Sequence, residues 1–190
     1  TCFAQASLTP GSANLSPAAL CNSHFFRRQP ENQICEYRNA EKHLQCSSQV
    51  GDITRFKNFS LLCPNERESR IALKDNESGL ETLSQSLIEI SNTKRLVMKL
   101  GADGFIAYDR NSTDKLESQA FPALSVNPVD VTGAGDSLLA VMAVGLSSGQ
   151  SMMATSAIAC CMASIAVETM GNSPISQGIL KEKLNDIFNP

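Results

Sequence analysis

Apolar residues along this chain fall into two regimes that meet near residue 46. In residues 1–45 they follow neither the period of 2 expected of a strand nor the 3.6 of a helix. Pro10, Pro17 and Pro30 would interrupt any helix there, so the segment reads as irregular, with at most short helices. From about residue 46 the pattern becomes regular. Residues 59–63 form a short apolar run closed by Pro64, the mark of a buried strand. Residues 65–74 read as a short helix with Ile71, Ala72 and Leu73 on its apolar side. Ser78 stands as a cap for a second helix, which carries Leu80, Leu83, Leu87 and Ile90 at helical spacing. Residues 95–100 predict a buried strand around Leu96-Val97-Met98. Gly101-Ala102-Asp103-Gly104 then turns the chain back into a strand over 105–108. Residues 110–114 read as a hairpin turn before a strand over 115–121, and three helices follow at about 134–148, 151–168 and 176–188. Strands alternating with helices predict a layered α/β domain with a largely parallel sheet. No internal repeat or low-complexity segment is visible.

One stretch changes the picture from fold to chemistry. Val129-Asp130-Val131-Thr132-Gly133-Ala134-Gly135-Asp136-Ser137 leads directly into the apolar helix that begins near residue 134. A glycine-rich turn opening a helix presents unpaired N–H groups and the positive end of the helix dipole, which together attract an anion. An acid in that first turn is kept ionised by the same field and can serve as a base beside the bound anion. Phosphoryl transfer needs that combination, since its catalysis is mostly positioning and charge stabilisation. A plain glycine turn capping a core helix would carry the same residues.

Asp130-Val131-Thr132-Gly133-Ala134-Gly135-Asp136 resembles the C-terminal signature of the ribokinase-like (PfkB) carbohydrate kinases. The resemblance implies a layered α/β/α fold with a mostly parallel sheet, and an activity that phosphorylates a sugar or sugar-phosphate hydroxyl with ATP. It gives Asp136 the role of base and gives the amides of Gly133, Ala134 and Gly135 that of an anion hole. Asn65 and Glu68 match the family's Asn-x-x-Glu element, which orders Mg²⁺ and its waters around the nucleotide. Magnesium takes oxygen ligands and keeps several waters, so an amide oxygen and one carboxylate are adequate. The same pair also suits a helix N-terminus, with Asn65 as its cap.

Lys99, Gly101 and Gly104 resemble the family's turn beside the nucleotide's ribose and phosphates. Glycine lets backbone approach a ligand, but a hairpin requires it equally. Lys99 is open to two readings, a phosphate contact or a solvated strand-end lysine. Asp130 and Thr132, with Ala166, Thr169 and Gly171, occupy the places where many family members hold a monovalent cation such as K⁺, mostly through backbone oxygens. Two positions depart from the pattern: Ile175 stands where a hydroxyl is usual, and Cys160 stands where ribokinase itself has an Asn against the nucleotide base. Around the signature and around residues 65–73 the likeness is to the heptose-phosphate kinase branch, the kinase domain of ADP-heptose synthesis. The alternative from another class is a non-catalytic nucleotide-binding or interaction module that keeps the fold and lacks the acceptor site. A dinucleotide-binding domain is disfavoured, because its glycine motif sits on the first strand–helix turn.

Composition sets the remaining bounds. The chain has 190 residues, 42% of them hydrophobic, enough for one domain with a substantial core. A net charge of −3 offers no basic surface for nucleic acid. No apolar run approaches the ~20 residues of a membrane helix, so no membrane partner is expected. Seven cysteines without a CxxC pair read as neither a disulfide framework nor a zinc site, and a cytoplasmic setting is expected. His24 and His43 have no nucleophile or metal ligand around them. The resemblance begins at about residue 46, whereas family members run to ~300 residues, two-domain size by length. The family's N-terminal half, with its sugar contacts and lid, is not recognisable in 1–45. That segment is expected to be a truncated or frame-shifted leader on a kinase portion spanning 46–190, which alone would bind nucleotide and phosphorylate poorly. Homodimers built through the lid are expected only of the full-length family.

Overall fold

In the computed structural model, residues 53–110, 114–125, 127–171 and 174–188 are described, with three short strands ahead of them. These strands are β1 (Phe26–Arg28), β2 (Cys35–Tyr37) and β3 (Leu44–Cys46). They fall at or inside the end of the segment that the pattern marks as irregular. A three-residue strand is too short to display a period, and strand formation depends on its pairing partners more than on its own sequence. The rest of that segment, both histidines and the hairpin tip at 111–113 lie outside the described residues. The chain divides into two compact units, Arg28–Pro122 and a second that contains Ala123–Pro190.

The first unit is organised on a five-stranded sheet. Its further strands are β4 (Leu61–Cys63), β5 (Arg95–Lys99), β6 (Phe105–Arg110) and β7 (Leu116–Phe121), in the order β3-β4-β5-β6-β7. β3, β4 and β5 run parallel, whereas β5–β6 and β6–β7 are antiparallel. The sheet is therefore mixed rather than mostly parallel. Only Leu100–Gly104 separates β5 from β6, and a parallel return needs a crossover of about a dozen residues. The antiparallel pairs are fixed side chain to side chain. Arg95 Nε lies 3.2 Å from Asp109 Oδ1 across β5–β6, and the rings of Phe105 and Phe121 stack at 5.1 Å across β6–β7.

Two helices belong to this unit, α1 (Glu66–Leu73) and α2 (Leu80–Ser91). Leu83, Leu87 and Ile88 of α2 pack with Leu62, Leu96, Met98 and Tyr108 of the sheet in one buried cluster. The neighbouring β5 residue Val97 and its β6 partner Ala107 point to the other face and are fully buried too. The cap of α2 is Gly79 rather than Ser78, whose N–H instead donates to Asp75 Oδ1 at 3.0 Å. Ile71 and Ile90, expected on apolar faces, are 62% and 44% exposed. Their places inward are taken by Ser69, Ser84 and Ser91, small residues that let the helices approach closely.

The second unit is helical: α3 (Ala134–Ser147), α4 (Met152–Glu168) and α5 (Gln177–Phe188). The link 148–151 leaves α3 and α4 antiparallel neighbours, and Ser151 caps α4 by accepting from Ala154 N at 3.3 Å. The two helices meet closely at Gly145, where a Cβ would stand 2.4 Å from Thr155 Cγ2. Met162, Ile165 and Ala166 form a buried cluster with Ile175, and Lys183 of α5 pairs with Glu168 at 2.9 Å. Among the described residues no helix is long and apolar enough to cross a membrane.

Candidate functional site

In the second unit, Gly133 is the N-cap of α3 with φ 84° and ψ −5°, a left-handed conformation that glycine adopts without steric cost. The helix starts cleanly there, since Ser137 N donates to Gly133 O at 2.9 Å. A glycine cap carries no side-chain oxygen to close the amides of the first turn, and α3 has no side-chain cap bond, although Ala134 N donates to Val131 O at 3.4 Å. Gly135 and Asp136 are the second and third residues of that turn. Asp136 is half-buried, followed by buried Ser137, Leu138 and Leu139, so the apolar core anchors the turn from behind.

Ahead of the turn, Asp130 forms a hub. Its Oδ1 accepts from Thr132 N at 2.9 Å and its Oδ2 from Gly171 N at 3.2 Å. The N–H groups of Val129 and Asp130 both donate to Val167 O, at 2.7 and 3.2 Å. The Thr132 amide, then the Thr132 side chain and the Gly171 amide, hold the Asp130 carboxyl below the usual 3.8. Gly171 takes φ 72°, which turns the chain after α4 so that its N–H reaches Asp130. The hydroxyl of Thr169 lies against its own helix, 3.2 Å from Ala166 O and 3.4 Å from Ile165 O. Gly171, 41 positions from Asp130 in sequence, is thus brought to Asp130 and Thr132. Val167 joins them through its carbonyl, a role that no side-chain pattern announces.

In the first unit, Asn65 and Glu68 form a reciprocal capping box. Asn65 Oδ1 accepts from Glu68 N, and Glu68 Oε2 accepts from Asn65 N, each at 2.7 Å. The alternative structural reading of this pair is therefore realised. A carboxylate has about four lone-pair sites, so closing the box does not exhaust Glu68, and an amide oxygen with a carboxylate is a donor set chemically suited to a magnesium ion held through its waters. Lys99 lies beside them: its N–H donates to Pro64 O at 2.9 Å, and Asn65 and Lys99 form an isolated parallel bridge. Gly101 and Gly104, with φ of 64° and 90°, make the tight turn after β5, closed by Leu100 N donating to Gly104 O at 2.8 Å.

Other residues that the sequence singles out are core. Cys160 and Cys161 are buried, and burial pushes the Cys160 thiol up to about 11, with Cys161 adding to the effect. Ile175, 5% exposed, packs against α4. Among the described residues no group of three or more His, Cys, Asp or Glu is placed to hold a metal ion.

The chain as a whole is similar to known proteins. The family model described as pfkB family carbohydrate kinase matches residues 36–177. The bifunctional protein HldE of Desulfatibacillum aliphaticivorans is 29% identical over 159 residues, 81% of this chain and 31% of that protein. The ribokinase of Thermotoga maritima superposes with a TM-score of 0.62 at 27% identity, over 72% of this chain and 46% of that one. Arabidopsis thaliana ribokinase complexed with ribose and ATP gives a TM-score of 0.56 at 27% identity, over 66% of this chain and 41% of that one. The fold is ribokinase-like, and the chain spans about a third of the bifunctional relative and under half of either ribokinase.

Proposed function

Since the chain belongs to the pfkB family of carbohydrate kinases, we propose that it serves ATP-dependent phosphorylation of a sugar or sugar-phosphate hydroxyl. The observation that carries this reading is the left-handed Gly133 cap that opens α3 without a side-chain oxygen, with Asp136 in the turn behind it. The first-turn amides suit the transferring phosphoryl group, whose charge spreads over its oxygens in the transition state. Asp136 accepts the proton from the acceptor hydroxyl as its oxygen attacks phosphorus, and ADP departs. Asn65 and Glu68 would hold magnesium through its waters, which when bound would neutralise phosphate charge. Lys99, Gly101 and Gly104 are the residues proposed to border the nucleotide. The resemblance of the signature and of residues 65–73 to the heptose-phosphate kinase branch favours a heptose phosphate as acceptor.

An Asp136→Asn variant tests the assignment. Turnover should fall by about 10²–10⁴-fold, the range of a lost general base, while calorimetric titration with magnesium–ADP should change little. Unchanged turnover would remove Asp136 from the chemistry. A second reading is a nucleotide-binding module without transfer. It predicts nucleotide binding with no turnover in the unmodified chain.

A further inference from the structure

The loop that precedes α3 and the loop that follows α4 are those that the family resemblance associates with a monovalent cation. A cation of that kind is held where several oxygens converge with lone pairs turned toward it, replacing its water shell. Here the Asp130 carboxylate and Ala166 O, two members of that set, already have other partners. Both carboxylate oxygens of Asp130 accept backbone N–H groups, from Thr132 and from Gly171. Val167 O accepts two more, from Val129 and Asp130, and Ala166 O lies within hydrogen-bonding reach of the Thr169 hydroxyl. The position expected to supply a hydroxyl is Ile175, buried among Met162, Ile165 and Ala166, which contributes no oxygen at all. The two loops are therefore bridged by direct hydrogen bonds, and two amides already engage the Asp130 carboxylate.

We propose that Asp130 is a positioning residue that clasps the two loops directly, so that the geometry of the Gly133 turn does not depend on a monovalent cation. The clasp works at both ends of one short segment. Val129 and Asp130 are tied by their N–H groups to the last turn of α4, and the Asp130 side chain reaches forward to Thr132 and across to Gly171. Thr132 directly precedes the glycine cap, so fixing its amide fixes the approach to the anion-binding turn.

The deciding experiment is amide hydrogen exchange on the full chain in potassium chloride and in tetramethylammonium chloride, which needs no assumption about the ligand. The Thr132 and Gly171 amides should be equally protected in both salts, and Asp130→Ala should lose both protections in either. Protection that appears only with potassium would overturn the proposal, as would rapid exchange in both salts or retention of protection in Asp130→Ala. A parallel titration with magnesium–ADP rests on the proposed nucleotide reading. Dissociation constants that agree within about twofold between the salts support the clasp, and about tenfold tightening by potassium, near 1.4 kcal/mol, contradicts it. Absence of binding in both salts would count against the nucleotide reading and leave the exchange result to decide the clasp.

Discussion

Replacing Gly145 by Ala tests how tightly α3 is held against α4. The added Cβ would lie 2.4 Å from Thr155 Cγ2, 2.7 Å from Thr155 Oγ1 and 3.1 Å from Thr155 Cβ. Thr155 cannot easily yield. It is 1% exposed, its branched side chain is stiff about χ1, and its hydroxyl lies 2.8 Å from Ser151 O in the capped first turn of α4. Overpacking of this kind costs about 1–3 kcal/mol. Rotating Thr155 aside would instead forfeit a hydrogen bond worth about 0.5–1.5 kcal/mol. Alanine's better helix propensity returns up to about 1 kcal/mol. Taken at mid-range, the balance is a loss of about 1 kcal/mol, and for a chain of this size each kcal/mol lowers the melting temperature by about 2–4 °C. Thermal unfolding followed by circular dichroism measures it, and the same substitution in a Thr155→Ala background should cost at least about 1 kcal/mol less. An unchanged or raised melting temperature, or strict additivity of the two substitutions, would refute the close contact.

Three further outcomes follow from the site. Gly133→Ala places a Cβ in a left-handed conformation that costs about 1–2 kcal/mol, so the empty turn should relax out of it, and restoring it on binding should weaken affinity by about 5–30-fold in magnesium–ADP titration. Asn65→Ala removes the acceptor for Glu68 N and should cost about 1 kcal/mol in urea unfolding, whereas Asn65→Asp should stay near the parent, since Asp caps as well as Asn. The Asp130 carboxyl titrates below 3.8 when folded, so the ionised, clasping form is favoured by folding. Its contribution is complete above the unfolded value and is lost as pH falls below 3.8 and through the lower folded value. Protection of the Gly171 amide should therefore hold from neutral pH down to that region and fade below it; fading already near neutrality would show another group in control.

The elements of the fold were legible where side-chain pattern decides them. The three C-terminal helices lie within a residue or two of their expected bounds, because long apolar helices with a small-residue link leave little choice. The phase of the shorter helices was less legible. Ile71 and Ile90 look inward by hydrophobicity, yet serines face the core and the isoleucines face out. Close helix–sheet approach rewards small residues, and a single-residue scale does not see distance. The sheet's direction was readable from one detail, the five-residue connection after β5, which forbids a parallel return whatever the alternation of strands and helices suggests. β1 and β2 left no trace, since three residues cannot show a period.

The candidate site divides along the same line. Gly133 and Asp136 announce themselves, because a required left-handed cap and an acid in a first turn are properties of residue type. The Asn65–Glu68 spacing announces a pair but not its use: the side chains that would order magnesium are the same that close a capping box, and the geometry shows the second occupation. These uses are compatible. A carboxylate tethered to the Asn65 backbone N–H has already lost much of its rotamer freedom, so engaging magnesium would incur less of the ordering cost that an untethered glutamate bears. The Asp130 clasp was the hardest part to foresee, because three of its four links end on backbone groups of residues whose side chains are apolar or absent: Val129, Val167 and Gly171. A backbone carbonyl can serve as hub under any side chain, so only the fold reveals that α4 ends where the segment before Gly133 needs an acceptor.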